Sequence, residues 1–487
     1  MQRQSQTKVL KNIPLIDKIG YGAGNLTFGV VIQIISTYMV FYSTVILNLP
    51  GSIIGLAIGI SVVWDAISDP IMGHISDQTH SQKFGRRHLY ILIGAISIAF
   101  FNFFLWDIPP AWPGIWKTVL IITLLMLVKT FTTVFSVPHT ALGAELTDDY
   151  NERSSIQGIR TIFFILGLFS ANVMGMFLFF RPTPEYPQGQ MNPAAYRDIG
   201  ITASMIALFF GLICYLSTKK YIPVLNENAG PEGDKGGIKH LMSSISSALA
   251  NADYRYVVLG YMFTNIASAL IGSVGMHVFT YTFRFGNYGI ALIFGVLFGV
   301  SILSQPIWVK ISERIDKKPT VLLGLGSSLV AALYFVVLVV LRSSVAGQAS
   351  WFLPFSILSG FGMGGLFALP LSMVADTIDV EELVSGERKE GLYYGCLTLC
   401  YKLSQSVAIF ILGTFLDLVR FDSSLPVQPS STVFALGMIL AVGCILSMLT
   451  AMLCYTRYRL NRSKIAEVQK QLSLRQLDQE TNRMEKQ

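Results

Sequence analysis

The sequence predicts an all-α integral membrane protein, with twelve transmembrane helices in two pseudo-symmetric six-helix bundles. Three observations carry this expectation. The 487 residues are 52% apolar and only 13% charged, half the charged share of a soluble domain. The apolar residues fall into twelve runs, each long enough to cross ~30 Å of hydrocarbon as a helix. One long polar stretch, 219–253, divides the runs six and six. A soluble enzyme, a coiled coil and a disordered scaffold are excluded at this step.

In chain order the runs cover 20–46, 51–75, 88–107, 117–143, 155–180, 199–218, 256–283, 288–309, 320–341, 350–375, 391–416 and 432–456. They are continuous rather than alternating, which selects helices over barrel strands. Residues 1–18 are polar and basic, and the run behind them is too long for the core of a cleavable signal. The expected domain plan is an N-terminal bundle over 1–218, a cytoplasmic linker over 219–253, a C-terminal bundle over 254–456 and a cytoplasmic tail over 457–487. The tail is charged and is expected to be helical, with no chemistry of its own.

Charge sets the expected topology. With both termini cytoplasmic, the inner segments hold 26 of the 36 Lys and Arg residues and the outer segments hold six. That asymmetry predicts a multi-pass protein of the inner (cytoplasmic) membrane. It also accounts for the net charge of +7, so no nucleic-acid partner is expected. The partners expected are the lipid bilayer and a small-molecule substrate, with no obligatory protein. All five cysteines lie inside apolar runs, which leaves no disulfide framework or metal cluster.

The two halves echo each other weakly. The turn after span two reads Gly73-His-Ile-Ser-Asp77, then Phe84-Gly-Arg-Arg87; the turn after span eight reads Lys310-Ile-Ser-Glu-Arg314-Ile-Asp-Lys-Lys318. Such basic turns anchor topology and also pair with carboxylates or helix ends. Glycines at 51, 55 and 59 in span two, and at 360, 362, 364 and 365 in span ten, predict close helix packing.

Ionisable residues inside spans mark the candidate site, because a mid-membrane charge costs ~2.5–3.5 kcal/mol even on insertion scales. Asp65 and Asp69 stand four apart on one face of span two. Two carboxylates facing a wet cavity suit a Na⁺ site or a proton carrier; the bland alternative is a salt bridge to a neighbouring helix. Lys402 stands near the middle of span eleven, too deep to snorkel from a helix end. Arg160 lies nearer the inner end of span five. On span four, Lys129, Thr132, Ser136 and His139 form one polar stripe. A lone histidine is more often a packing residue than a ligand, and His139 and His277 are weighed that way. No zinc spacing, Ser-His-Asp set or phosphate loop is present, so the chain is not expected to be an enzyme.

The stretch WDAISDPIMGHISD (64–77) followed by FGRR, together with YGAG (21–24), SVPHTAL (136–142), Arg160, MVADTIDVEE (373–382), ERKEGLYYG (387–395) and Lys402, resembles the glycoside–pentoside–hexuronide:cation symporters. These belong to the major facilitator superfamily, and the resemblance runs through both halves. It implies the major facilitator fold and import of a sugar or glycoside by alternating access, with Na⁺ or H⁺ as coupling ion and no other cofactor. It implies Asp65 and Asp69 as cation ligands, and Arg160, Thr398 and Lys402 beside the substrate. Asp77, Arg86 and Arg87, with Asp376 and Asp379 in a cytoplasmic loop motif, would belong to the gate.

The departures from the pattern are informative. Melibiose-type members carry a Lys-Asp pair on the first helix, where this chain has Phe28 and Gly29, and an aspartate on the fourth, where it has Ser136. Lys129 is an added cation. Two readings follow: Lys129 meets an anionic sugar, or it pairs with Asp65 or Asp69 in place of a bound Na⁺, giving proton coupling or uniport. Lysophospholipid transport on the same fold is the alternative cargo, and a non-transporting sensor a third reading.

Overall fold

The computed structural model describes residues 13–79, 81–147, 150–171, 175–227, 246, 248–386, 390–422, 425 and 427–484. The first half comprises α1 (Leu15–Phe41), α2 (Gly51–Gln78), α3 (His88–Leu105), α4 (Gly114–Glu145), α5 (Tyr150–Phe169, with a further turn at Gly175–Leu178) and α6 (Pro193–Thr218). The second comprises α7 (Ala252–His277), α8 (Asn287–Ile315), α9 (Lys317–Val340), α10 (Leu353–Ser385), α11 (Glu390–Leu418) and α12 (Ser430–Thr456), followed by α13 (Arg462–Met484). Among the described residues, eleven helices are long and apolar enough to cross a bilayer; the fifth span is represented by the shorter apolar helix Ser155–Phe169. Most of the expected linker, 219–253, and the start of the ERKEGLYYG stretch, 387–389, lie outside the described residues.

The chain forms two compact units. Unit 1 holds 1–236 with 285–291 and 409–428, and unit 2 holds 237–284, 292–408 and 429–487. Within unit 1, α1 packs on α5 and α6, α3 on α4 and α6, and α2 on α4; within unit 2, α7 packs on α12, and α9 on α10 and α12. The two units repeat one design beyond what the basic turns revealed. Both α1 and α7 close in a π-turn, Tyr42–Ile46 and Val278–Thr282. In each case a non-glycine residue in left-handed backbone follows, Asn48 (φ 53°) and Arg284 (φ 56°). Internal prolines occupy α2 (Pro70), α4 (Pro138), α8 (Pro306) and α10 (Pro370). Proline breaks one rung of the i→i−4 ladder, and packed neighbours make that tolerable in membrane helices.

One expectation is corrected. Asp376 and Asp379 do not lie in a loop: α10 continues ten residues beyond the apolar run, and both sit on it. The segment from Asp376 to Ser385 is too polar to read as a span, yet it carries helix formers and ends at Gly386 with φ 78°, a left-handed cap that closes the helix. The tail is also helical, and Ile465, Val468 and Leu472 recur on the inward face of α13 as it packs on α10.

At the other end of unit 1, Asp417 near the end of α11 accepts from the backbone amides of Gly51 (3.0 Å) and Ser52 (2.9 Å). A carboxylate on these orphan amides caps α2 and meets the positive end of its dipole. Gly413 lies against Gly51, and a Cβ there would collide with the Gly51 carbonyl oxygen. Asp417→Ala is expected to lose about 1–2 kcal/mol, read as a lower midpoint of thermal unfolding in detergent; an unchanged midpoint would deny the cap.

Candidate functional site

In unit 1, α2 and α4 run side by side and present polar residues in matched pairs. Asp65, near the middle of α2, is 3% exposed. Its Oδ2 lies 3.4 Å from Lys129 Nζ on α4. One helical turn on, Thr133 Oγ1 donates to Asp69 Oδ1 at 2.8 Å. Ser68 Oγ reaches Thr133 Oγ1 at 3.5 Å, and Trp64 Nε1 donates to Thr130 Oγ1 at 2.9 Å. The i, i+4 spacing of Asp65 and Asp69 is thus matched by that of Lys129 and Thr133. Buried carboxylates require such partners, because an unpaired charge in low dielectric is strongly unfavourable. The Asp65–Lys129 ion pair and the Asp69–Thr133 hydrogen bond together form one polar patch between the two helices.

The other members of the span-four stripe face elsewhere. Thr132 Oγ1 donates back to the Val128 carbonyl at 2.7 Å and is buried. His139 is 1% exposed, stacks on Tyr21 (4.5 Å between centroids) and Phe135 (5.4 Å), and pairs through Nε2 with the Tyr21 carbonyl at 2.9 Å. It is a packing histidine. Ser136 is half-buried, its carbonyl taken by Thr140 Oγ1 at 2.8 Å. Arg160 on α5 donates to Gln157 Oε1 (3.0 Å) and Thr140 Oγ1 (2.9 Å), while its Nε is buried without a hydrogen-bond partner among the described residues. In unit 2, Lys402 is half-buried on α11, and Thr398, one turn before it, is exposed with its hydroxyl on the Tyr394 carbonyl at 2.9 Å.

On the side of the basic turns, each unit carries an ion-pair clamp. In unit 1, Arg86 Nη2 (2.8 Å) and Arg87 Nη2 (2.7 Å) converge on Glu145 Oε1 at the end of α4. Arg87 also pairs with Asp77 and donates to Ser76. In unit 2, Lys317 Nζ lies 2.7 Å from both oxygens of Asp376, and Tyr458 donates to Asp376 Oδ2 at 3.4 Å. Asp379 accepts from Gln469 of α13 at 3.2 Å. The two clamps are equivalent: a cation at the start of the third helix of each half holds a carboxylate near the end of the fourth. Glu145, Lys317 and Thr133 escaped the sequence reading. A match between Arg87 and Lys317, one residue either side of a helix start, was the signal available for the first two.

Residues 20–462 match the family model described as MFS/sugar transport protein. The putative glycoside/cation symporter YagG of Escherichia coli (strain K12) is 23% identical, over 95% of this chain and 96% of that one. The sodium-dependent lysophosphatidylcholine symporter 1 of Gallus gallus is 22% identical, over 97% of this chain and 91% of that one. Among solved structures, a D-xylose–proton symporter superposes with a TM-score of 0.62 at 13% identity, covering 90% of this chain and 96% of that one. The chain belongs to the MFS/sugar transport family, within the glycoside–pentoside–hexuronide:cation symporters; it is a multi-pass membrane transporter and not an enzyme.

Glu145 holds two guanidinium groups of which that of Arg87 is buried. Glu145→Gln is therefore expected to lower unfolding stability by about 3–5 kcal/mol, and Glu145→Asp by less. Equal thermal midpoints for Glu145→Gln and the parent would show that the clamp does not hold these helix ends together.

Proposed function

We propose that this transporter imports a sugar or glycoside across the inner membrane by alternating access, coupled to a cation at the Asp65–Asp69 pair. The observation that carries the reading is the buried carboxylate Asp65 in mid-helix, with Lys129 and the Asp69–Thr133 bond beside it. A purely structural helix interface has no need of two carboxylates at that depth. The charge asymmetry of the loops supports cytoplasmic termini. One monovalent ion crossing 100 mV supplies ~2.3 kcal/mol, enough for ~50-fold accumulation. Arg160, whose buried Nε has no hydrogen-bond partner among the described residues, and Lys402 with Thr398 are the residues proposed to meet the sugar. The basic-side clamps at Asp77, Arg86, Arg87, Asp376 and Asp379 would govern the gate.

A second reading has its own support. A relative named for lysophosphatidylcholine spans nearly the whole chain, so an amphiphile is the alternative cargo. Ligand-induced thermal stabilisation separates the two. The panel is a neutral galactoside, a glucuronide, a sulfonated sugar and lysophosphatidylcholine. Stabilisation by one sugar class is expected; stabilisation by the lysophospholipid alone would replace the sugar reading with the amphiphile one. In proteoliposomes, Asp65→Asn is expected to abolish uphill uptake of the stabilising solute while leaving the protein inserted. Undiminished accumulation by that variant would remove Asp65 from the coupling centre.

A further inference from the structure

We propose that the ammonium of Lys129 is itself the cation of the Asp65–Asp69 pair, so that Na⁺ is not a co-substrate of this chain. The inference rests on the reading of that pair as the coupling site and leaves H⁺ as the ion that drives uptake. Lys129 Nζ stands 3.4 Å from Asp65 Oδ2, with the two side chains only 13% and 4% exposed. A Na⁺ ion on that oxygen would lie against the ammonium, and like charges repel strongly where water is scarce.

Elimination over both helices points the same way. Glu145 is the sole acidic residue of α4, and it is taken by Arg86 and Arg87. Asp77, the third carboxylate of α2, is paired with Arg87. Among the charges of these two helices, Asp65 and Asp69 are what remains for Lys129. Asp69 already receives the Thr133 hydroxyl, and the contact to Lys129 is made by Asp65. A tethered cation also has a standing advantage: it is present at a fixed local concentration, whereas Na⁺ must be drawn from solution. Of the groups that would ligate a hard cation, Asp65 therefore already carries a cation built into the chain, with the Asp69–Thr133 bond one turn on.

The test is radiolabelled Na⁺ binding to the purified full-length protein, with no sugar present and with K⁺ keeping ionic strength constant. The parent is expected to show no saturable Na⁺ binding, and Lys129→Met to acquire it. Na⁺, but not K⁺, should raise the unfolding midpoint of Lys129→Met. Adding Asp65→Asn to that variant should remove both effects, and Lys129→Arg should stay insensitive like the parent. Saturable Na⁺ binding by the parent overturns the proposal without requiring any variant to fold. So does a folded Lys129→Met protein that still ignores Na⁺. Because no solute is involved, either result stands even if the cargo is not a sugar.

Discussion

A charge placed where water is scarce must find its counter-charge within the protein, and the polar architecture of this chain follows from that constraint. Asp65 meets it through Lys129 on the adjoining helix. Asp69 receives a hydrogen bond, rather than a counter-charge, from the Thr133 hydroxyl. The backbone obeys the same rule, which is why the spans are helices and why the first amides of α2, unpaired within their own helix, are met by Asp417. Because α2 and α4 run in the same direction, a four-residue spacing on one is met by a four-residue spacing on the other. Sliding either helix by one turn would separate Asp65 from Lys129. The polar patch therefore fixes the register of the pair, a role for buried charge that uniform apolar packing does not supply.

Closer to water the same constraint relaxes, and charge is used differently. The clamps at Glu145 and Asp376 join helix ends rather than helix middles, and their cations come from the starts of α3 and α9. In the first, a carboxylate at a helix C-terminus, where the dipole disfavours it, is compensated by two neighbouring guanidinium groups. Both clamps hold helix ends together, that at Glu145 through the buried guanidinium of Arg87. Asp65 differs in depth: at 3% exposed, it has no solvent to make up for loss of the Lys129 ammonium.

Much of this was legible in the sequence. The spans, their helical character and the acidic pair on span two follow from composition, run length and spacing, since lipid imposes those patterns on any chain. Helix edges were not, because a span that continues into water loses its apolar signature while keeping its helical one: α10 runs on through Asp376 and Asp379 to Gly386. The stripe from Lys129 to His139 was misleading for a related reason. Shared helical face says which residues are neighbours, but not whether a hydroxyl turns to its own backbone, as Thr132 does, or a ring stacks, as His139 does. Pairing across helices was least accessible. Lys129 meeting Asp65 was one of two readings, and nothing in a single sequence gives the relative height of two spans.

The site also bears on what family membership can say. The fold, the acidic pair and Asp77, Arg87 and Asp376 belong to stretches that match the symporter pattern, whereas the clamp residues Glu145 and Lys317 lie outside those stretches. Lys129 does not belong to that pattern. It stands on the neighbouring helix α4, 3.4 Å from one of the two carboxylates, and makes the site more positive by one charge. A carboxylate pair that would draw a free cation from solution becomes one that already holds a cation, and the energetic reason for the ion to travel with the solute is altered by one side chain. Conversely, losing the fourth-helix aspartate to Ser136 lowers the number of carboxylates that a cation or a sugar hydroxyl could use. The two departures lie two turns apart on α4 and act in the same direction, toward a more positive site. They are more readily understood as one adaptation of the coupling centre than as two unrelated substitutions.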